Sequence, residues 1–155
     1  MDRIATLIAL GFGSGLLRPA PGTWGSLAAV LLGYGAFLAA GPIAVAVAAA
    51  LACVIGIWAA ERYGQITGTS DASQVVIDEF AGQWIALLPV VYVAPDQWLC
   101  WAASFALFRL FDVLKPGPIG ILDRRLKGGL GVMADDILAG ALSAVLLGIG
   151  LTYVA

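Results

Sequence analysis

The run from Trp24 to Ala60, WGSLAAVLLGYGAFLAAGPIAVAVAAALACVIGIWAA, contains no charged side chain and is broken once, at Gly41-Pro42. A helix over Trp24 to Ala40 would be about 25 Å long at 1.5 Å per residue. That nearly matches a hydrocarbon core of about 30 Å. Ile43 to Ala60 is a second run of the same kind, rich in alanine and glycine, which lets helices approach closely in lipid. The pair reads as a helical hairpin in a membrane.

The rest of the chain agrees. Of 155 residues, 61% are hydrophobic and 12% charged, and the mean hydropathy is +0.97, far above that of a soluble globular domain. The length suits one domain, residues 1-155. Cys53 and Cys100 both lie in apolar runs, as small buried hydrophobes do, rather than as a disulfide or a metal pair. The absence of histidine excludes histidine phosphatases, His-ligated zinc and Ser-His-Asp triads. A net charge of −2 with no basic stripe gives no argument for nucleic acid. MDRIATLIAL runs into glycine-rich sequence without a polar cleavage region, so the apolar segments are expected to stay in the mature protein.

Working outward, Ile4 to Leu17 is interrupted by Gly11, Gly13 and Gly15 and is short for a span, so an interfacial or re-entrant helix is expected there. GFGSG at 11–15 fits neither GxGxxG nor the P-loop spacing, and small residues at a helix contact explain it as well. RPAPGTWG at 18–25 is a turn-rich entry with Trp24 as an interfacial anchor. Phe80 to Ala94 and Gln97 to Phe111, separated by Pro95-Asp96, read as a second, shorter hairpin, in which Pro89 marks a kink or a helix end. Asp112 to Asp135 is a polar segment, and Ile137 to Ala155 is a final span. The fold expected is all-α: a polytopic membrane bundle of about five spanning or partly spanning helices behind the N-terminal segment.

An alternating path places residues 18–23, 61–79 and 112–136 on one side and the turns 41–42 and 95–96 on the other. All eight Lys and Arg residues fall on or beside the first side, which the positive-inside rule makes cytoplasmic. Nine of the ten acids are there too, Asp96 being the exception. Three clusters stand out: Asp71, Asp78 and Glu79 in DASQVVIDEFAGQWIAL; Arg109, Asp112 and Lys115 in RLFDVLKPGPI; and Asp135 with Asp136 in GGLGVMADD.

Spacing of three places Arg109, Asp112 and Lys115 along one side of a helix that Pro116 ends. The acids, brought together, would repel and raise one another's pKa values unless cations intervene. Mg²⁺ is the expected partner, since it takes oxygen ligands from one or two carboxylates together with phosphate. Arg109 and Lys115 would then hold the remaining phosphate charge. Each acid also has a plainer reading as a helix cap or interfacial charge, Asp135 and Asp136 before the last span above all. The two i,i+3 pairs on Asp112 can likewise be simple surface ion pairs. No cysteine lies in a polar loop, and Ser14, Ser70 and Ser73 lack a histidine, which leaves metal-activated water as the expected attacking group.

LLRPAPGTWGSL at 16–27, VIDEFAGQWIAL at 76–87, FDVLKPGPI at 111–119 and GGLGVMADDILAG at 128–140, in that order, resemble the phosphatidylglycerophosphatase A family. Its members are bacterial membrane phosphatases that convert phosphatidylglycerophosphate to phosphatidylglycerol. The resemblance covers nearly the whole chain and implies an all-helical fold, Mg²⁺ dependence and the bacterial inner membrane. One departure is Ala72, where a proline often follows the aspartate. Carried over by position, the implied site has Asp78, Glu79, Asp112, Lys115 and Asp136 as catalytic residues. Its metal ligands are Asp71, Asp78, Glu79, Asp135 and Asp136, and Arg109 and Lys115 bind the substrate phosphate. The expected reaction is in-line attack by water on the terminal phosphate at the cytoplasmic interface, with the acyl chains left in the bilayer.

Two alternatives stand beside it. A Mg²⁺-dependent lipid phosphotransferase would carry a DxxDGxxAR-type motif, which is absent. A small transporter would place acids within its spans, whereas here they lie at ends or in loops.

Overall fold

A computed structural model describes residues 1–69 and 72–154. Six α-helices form a single bundle: α1 (Asp2–Ala9), α2 (Pro21–Thr67), α3 (Ile77–Val93), α4 (Trp98–Leu114), α5 (Pro118–Arg125) and α6 (Gly128–Val154), with a 3₁₀ turn at Gly11–Leu16. No strand occurs among the described residues.

The charge-free run is the expected hairpin. α2 is interrupted at Ala40 (φ −147°, ψ 17°) and Gly41 (φ 74°, ψ −170°), the latter a backbone region open to glycine and costly for L side chains. Gly25 in the first arm packs on Val76, and Gly56 in the second packs on Ile77 and Met133. Gly33 meets Trp84 and Leu87, and Val45 joins a cluster with Leu87 and Val90. Both outer ends of α2 therefore lie at the start of α3, and both inner ends lie near its finish. The two arms are antiparallel about Gly41.

α3 and α4 form the second hairpin, joined through Pro95-Asp96, each 17 residues long. At about 25 Å they fall short of the hydrocarbon thickness. Pro89 lies inside α3 without ending it. Among the described residues, α2 and α6 are the two helices long and apolar enough to cross a membrane. Their outward faces carry large apolar side chains, among them Leu31, Leu38, Ile43, Val54 and Ile149. A helix apolar on both its buried and its exposed sides is suited to lipid, and these two suggest association with a membrane. α1, at about 12 Å, is too short to cross.

Two boundaries differ from expectation. The segment expected only to be polar contains α5, which starts at Pro118, a proline in the first turn being compatible with a helix. α6 begins at Gly128, well before the expected Ile137, despite the poor helix propensity of Gly-Gly-Leu-Gly. Its start is held from outside: the Glu61 carboxylate accepts the Gly129 N–H at 2.7 Å.

The GFGSG segment is a packing element. A Cβ on Gly11 would lie 2.6 Å from the Phe80 ring, and one on Gly15 would collide with the Gln74 carbonyl. Cys53 and Cys100 are free thiols, both half-buried.

Candidate active site

The loops at the α2-terminal end of the bundle enclose a cavity of about 300 Å³. Asp78 and Glu79 line it from the first turn of α3, Asp112 from the last turn of α4, Lys115 from just beyond α4, and Asp135 and Asp136 from α6. Residues more than thirty positions apart thus meet. Asp123, Lys127, Gly128 and Gly131 complete the wall. Asp71 lies outside the described residues.

Glu79, Asp135 and Asp136 form a buried floor at 7%, 5% and 4% exposure. Oxygens of Asp112, Asp135 and Asp136 all lie within 4.8 Å of one another, close enough to share one cation. Hard carboxylate oxygens converging from two helices fit Mg²⁺ or a similar divalent ion. Asp135 and Asp136 stand about two turns inside α6, so they are not the caps of that helix. Asp78 partly keeps its plainer role, since its Oδ1 accepts the Glu79 N–H at 2.9 Å in the first turn of α3.

Electrostatics make the floor costly without a partner. Burial, then the neighbouring Glu79 charge, pushes the Asp78 carboxyl well above the usual carboxylate range. Burial and the Asp112 charge raise Glu79 to about 7, against the opposing pull of Arg109 and Ser26. A cation among these acids would relieve the repulsion.

Arg109 and Lys115 do not form the expected pair along one helix side. α4 ends at Leu114, and Lys115 is its C-cap in the left-handed region (φ 44°, ψ 53°), so its side chain leaves the face that carries Arg109 and Asp112. Its ammonium reaches Asp123 Oδ1 at 2.5 Å and Asp135 Oδ2 at 2.6 Å. Burial works against the charged form, but these two carboxylates prevail and raise the Lys115 pKa. Arg109 turns inward. Its Nη1 donates to Glu79, sits 2.8 Å from Asp112 Oδ2 and reaches Ser26 Oγ at 3.3 Å.

Ser26 was not singled out in the sequence. Its hydroxyl donates to Glu79 Oε2 at 2.6 Å, and it is the one Ser or Thr between Trp24 and Ala60, a signal that could have marked it. A Cβ on Gly22 would collide with Glu79 Oε1, so the PGTWGS turn is shaped around that carboxylate. Asp123 and Lys127 lie in a segment without periodicity, and only the fold brings them to the cavity.

The family model described as Phosphatidylglycerophosphatase A matches residues 7–151. A Haemophilus influenzae protein named phosphatidylglycerophosphatase A is 42% identical over 95% of this chain and 88% of its own length. An Escherichia coli protein of the same name is 41% identical, over 91% and 80%. A Bacteroides thetaiotaomicron protein, provisionally named a phosphatidylinositol-3-phosphatase, is 40% identical, over 94% and 92%. No solved structure gives a significant match. The match spans the helices that carry every cavity acid, and the chain belongs to the phosphatidylglycerophosphatase A family of phosphatases.

Proposed function

We propose that the protein hydrolyses the terminal phosphomonoester of phosphatidylglycerophosphate, giving phosphatidylglycerol and phosphate, at the cytoplasmic face of the bacterial inner membrane. The observation that carries this is the convergence of Asp112, Asp135 and Asp136 on the floor of a cavity at one end of an apolar bundle. A lipid headgroup can enter that end while its acyl chains remain beside the helices. The positive-inside distribution supports the cytoplasmic orientation.

Mg²⁺ held by Asp112, Asp135 and Asp136 would supply charge neutralisation and polarisation of a phosphate oxygen. The chain's own groups set the stage for water to attack. Lys115 holds Asp135 in place and presents positive charge at the cavity wall, where charge develops as the leaving oxygen departs. Arg109 clamps Glu79 and Asp112 through its ion pairs with both carboxylates. Asp78 on the wall and Glu79 on the floor lie beside the triad and restrict where the phosphate can sit.

The test uses purified protein in detergent micelles with phosphatidylglycerophosphate, in Mg²⁺ and in EDTA. Phosphate release that depends on Mg²⁺ and is lost in Asp136→Asn is expected. Absence of release in Mg²⁺ would refute the reading, and release undiminished in EDTA would refute the metal. The name of the Bacteroides relative favours phosphatidylinositol 3-phosphate as the second substrate to assay in parallel. Faster turnover of that lipid would move the substrate assignment to it.

A further inference from the structure

The cavity places two cations among its acids, Lys115 and Lys127, and they differ in kind. Lys115 is committed to Asp123 and Asp135. Arg109, behind the wall, is committed to Glu79 and Asp112. Lys127 lines the cavity with no carboxylate in ion-pair range and no side-chain hydrogen bond among the described residues. Its backbone is nevertheless fixed, because its carbonyl accepts the Gly131 N–H at the start of α6.

Depth decides what Lys127 can reach. Glu79, Asp135 and Asp136 are buried on the floor, whereas Lys127 is exposed at the rim. A substrate with two phosphates joined by glycerol must enter with its monoester towards the metal-binding floor. Its diester, attached to the lipid, stays nearer the rim. We propose that Lys127 is a binding residue for the phosphodiester of the lipid headgroup, and that it sets substrate affinity rather than the rate of the chemical step.

The inference rests on the functional reading above, and the experiment separates the two. Steady-state kinetics of the full chain in micelles would compare wild type, Lys127→Ala and Lys127→Arg, using phosphatidylglycerophosphate as substrate. Phosphatidylglycerol, which keeps only the diester, and inorganic phosphate, which resembles only the monoester, serve as inhibitors. A charge-assisted hydrogen bond at a solvated rim predicts that Lys127→Ala raises KM about tenfold with kcat within about twofold. The inhibition constant of phosphatidylglycerol should rise in step and that of inorganic phosphate should not move. Lys127→Arg should recover most of the affinity.

An unchanged KM, a loss confined to kcat, or weakened inhibition by inorganic phosphate would overturn the assignment. Wild-type protein that releases no phosphate would instead refute the functional reading on which it stands.

Discussion

Replacing Arg109 by methionine keeps most of the side-chain volume and removes the charge that faces Glu79 and Asp112. The Arg109 and Glu79 side chains are 17% and 9% exposed, so this ion network is largely withdrawn from water. Breaking a buried pair by removing one partner costs about 3–5 kcal/mol, because the other charge is left uncompensated. Residual exposure and the Ser26 hydrogen bond to Glu79 place the expected loss near the lower end, about 3 kcal/mol. Glu79→Gln in the same chain removes the stranded charge, so the double variant should lose only about 1 kcal/mol, about 2 kcal/mol less than Arg109→Met alone. Unfolding in a denaturing detergent series, followed through the fluorescence of the five tryptophans, measures all three variants. Arg124→Met, at an exposed position, is the control and should stay within about 0.5 kcal/mol. The clamp is refuted if Arg109→Met costs no more than Arg124→Met, or if Glu79→Gln adds to its cost without relieving it.

Two further perturbations probe the frame of the site. A Cβ on Gly140 would fall within the carbonyl of Gly82, where backbone faces backbone and neither can yield, so Gly140→Ala should destabilise by about 1–3 kcal/mol and depress phosphate release. Gly35→Ala meets nothing within 4 Å and should be neutral or stabilising by up to about 1 kcal/mol; equal effects at the two positions in the same unfolding assay would contradict the packing. Glu61→Ala removes the acceptor for the Gly129 N–H and should cost about 1 kcal/mol, with Glu61→Gln losing less; faster amide exchange confined to the first turn of α6 is the signature, and its absence would refute the cap.

The hairpin of α2 was legible because charge-free length and a Gly-Pro break are local signals. The shared face of the three acidic clusters was legible because charge cannot be scattered along apolar helices without cost. What could not be read locally was pairing. The pairing of Arg109 with Glu79 is hidden because the two lie thirty residues apart, and a sequence displays only the i,i+3 neighbour Asp112. Lys115 reads as helical because three-residue spacing persists to it, although the helix ends there on a left-handed residue, ahead of Pro116. The plainer cap reading of Asp135 and Asp136 stayed open because three glycines among the four residues before Val132 disfavour a helix, and Glu61, far upstream, stabilises that start.

One signal for the meeting of the clusters does lie in the sequence. Asp78 to Gly82 reads DEFAG and Asp136 to Gly140 reads DILAG, each an aspartate one helical turn before a glycine. The two glycines face each other where α3 crosses α6: a Cβ on Gly140 would enter the Gly82 carbonyl, and one on Gly82 would lie 2.6 Å from the Asp136 carbonyl. Two helices running the same way from one end of the bundle, in contact at a point one turn beyond each aspartate, must bring those aspartates together one turn earlier. α4 joins at the same level, with the Phe108 ring against Gly82, and because it runs in the opposite direction its Asp112, one turn after Phe108, arrives at the same place. The acids are thus assembled by the close approach of small residues in apolar helices. Mutual repulsion among them is overcome by packing a turn away, which holds the carboxylates together at one end of the bundle.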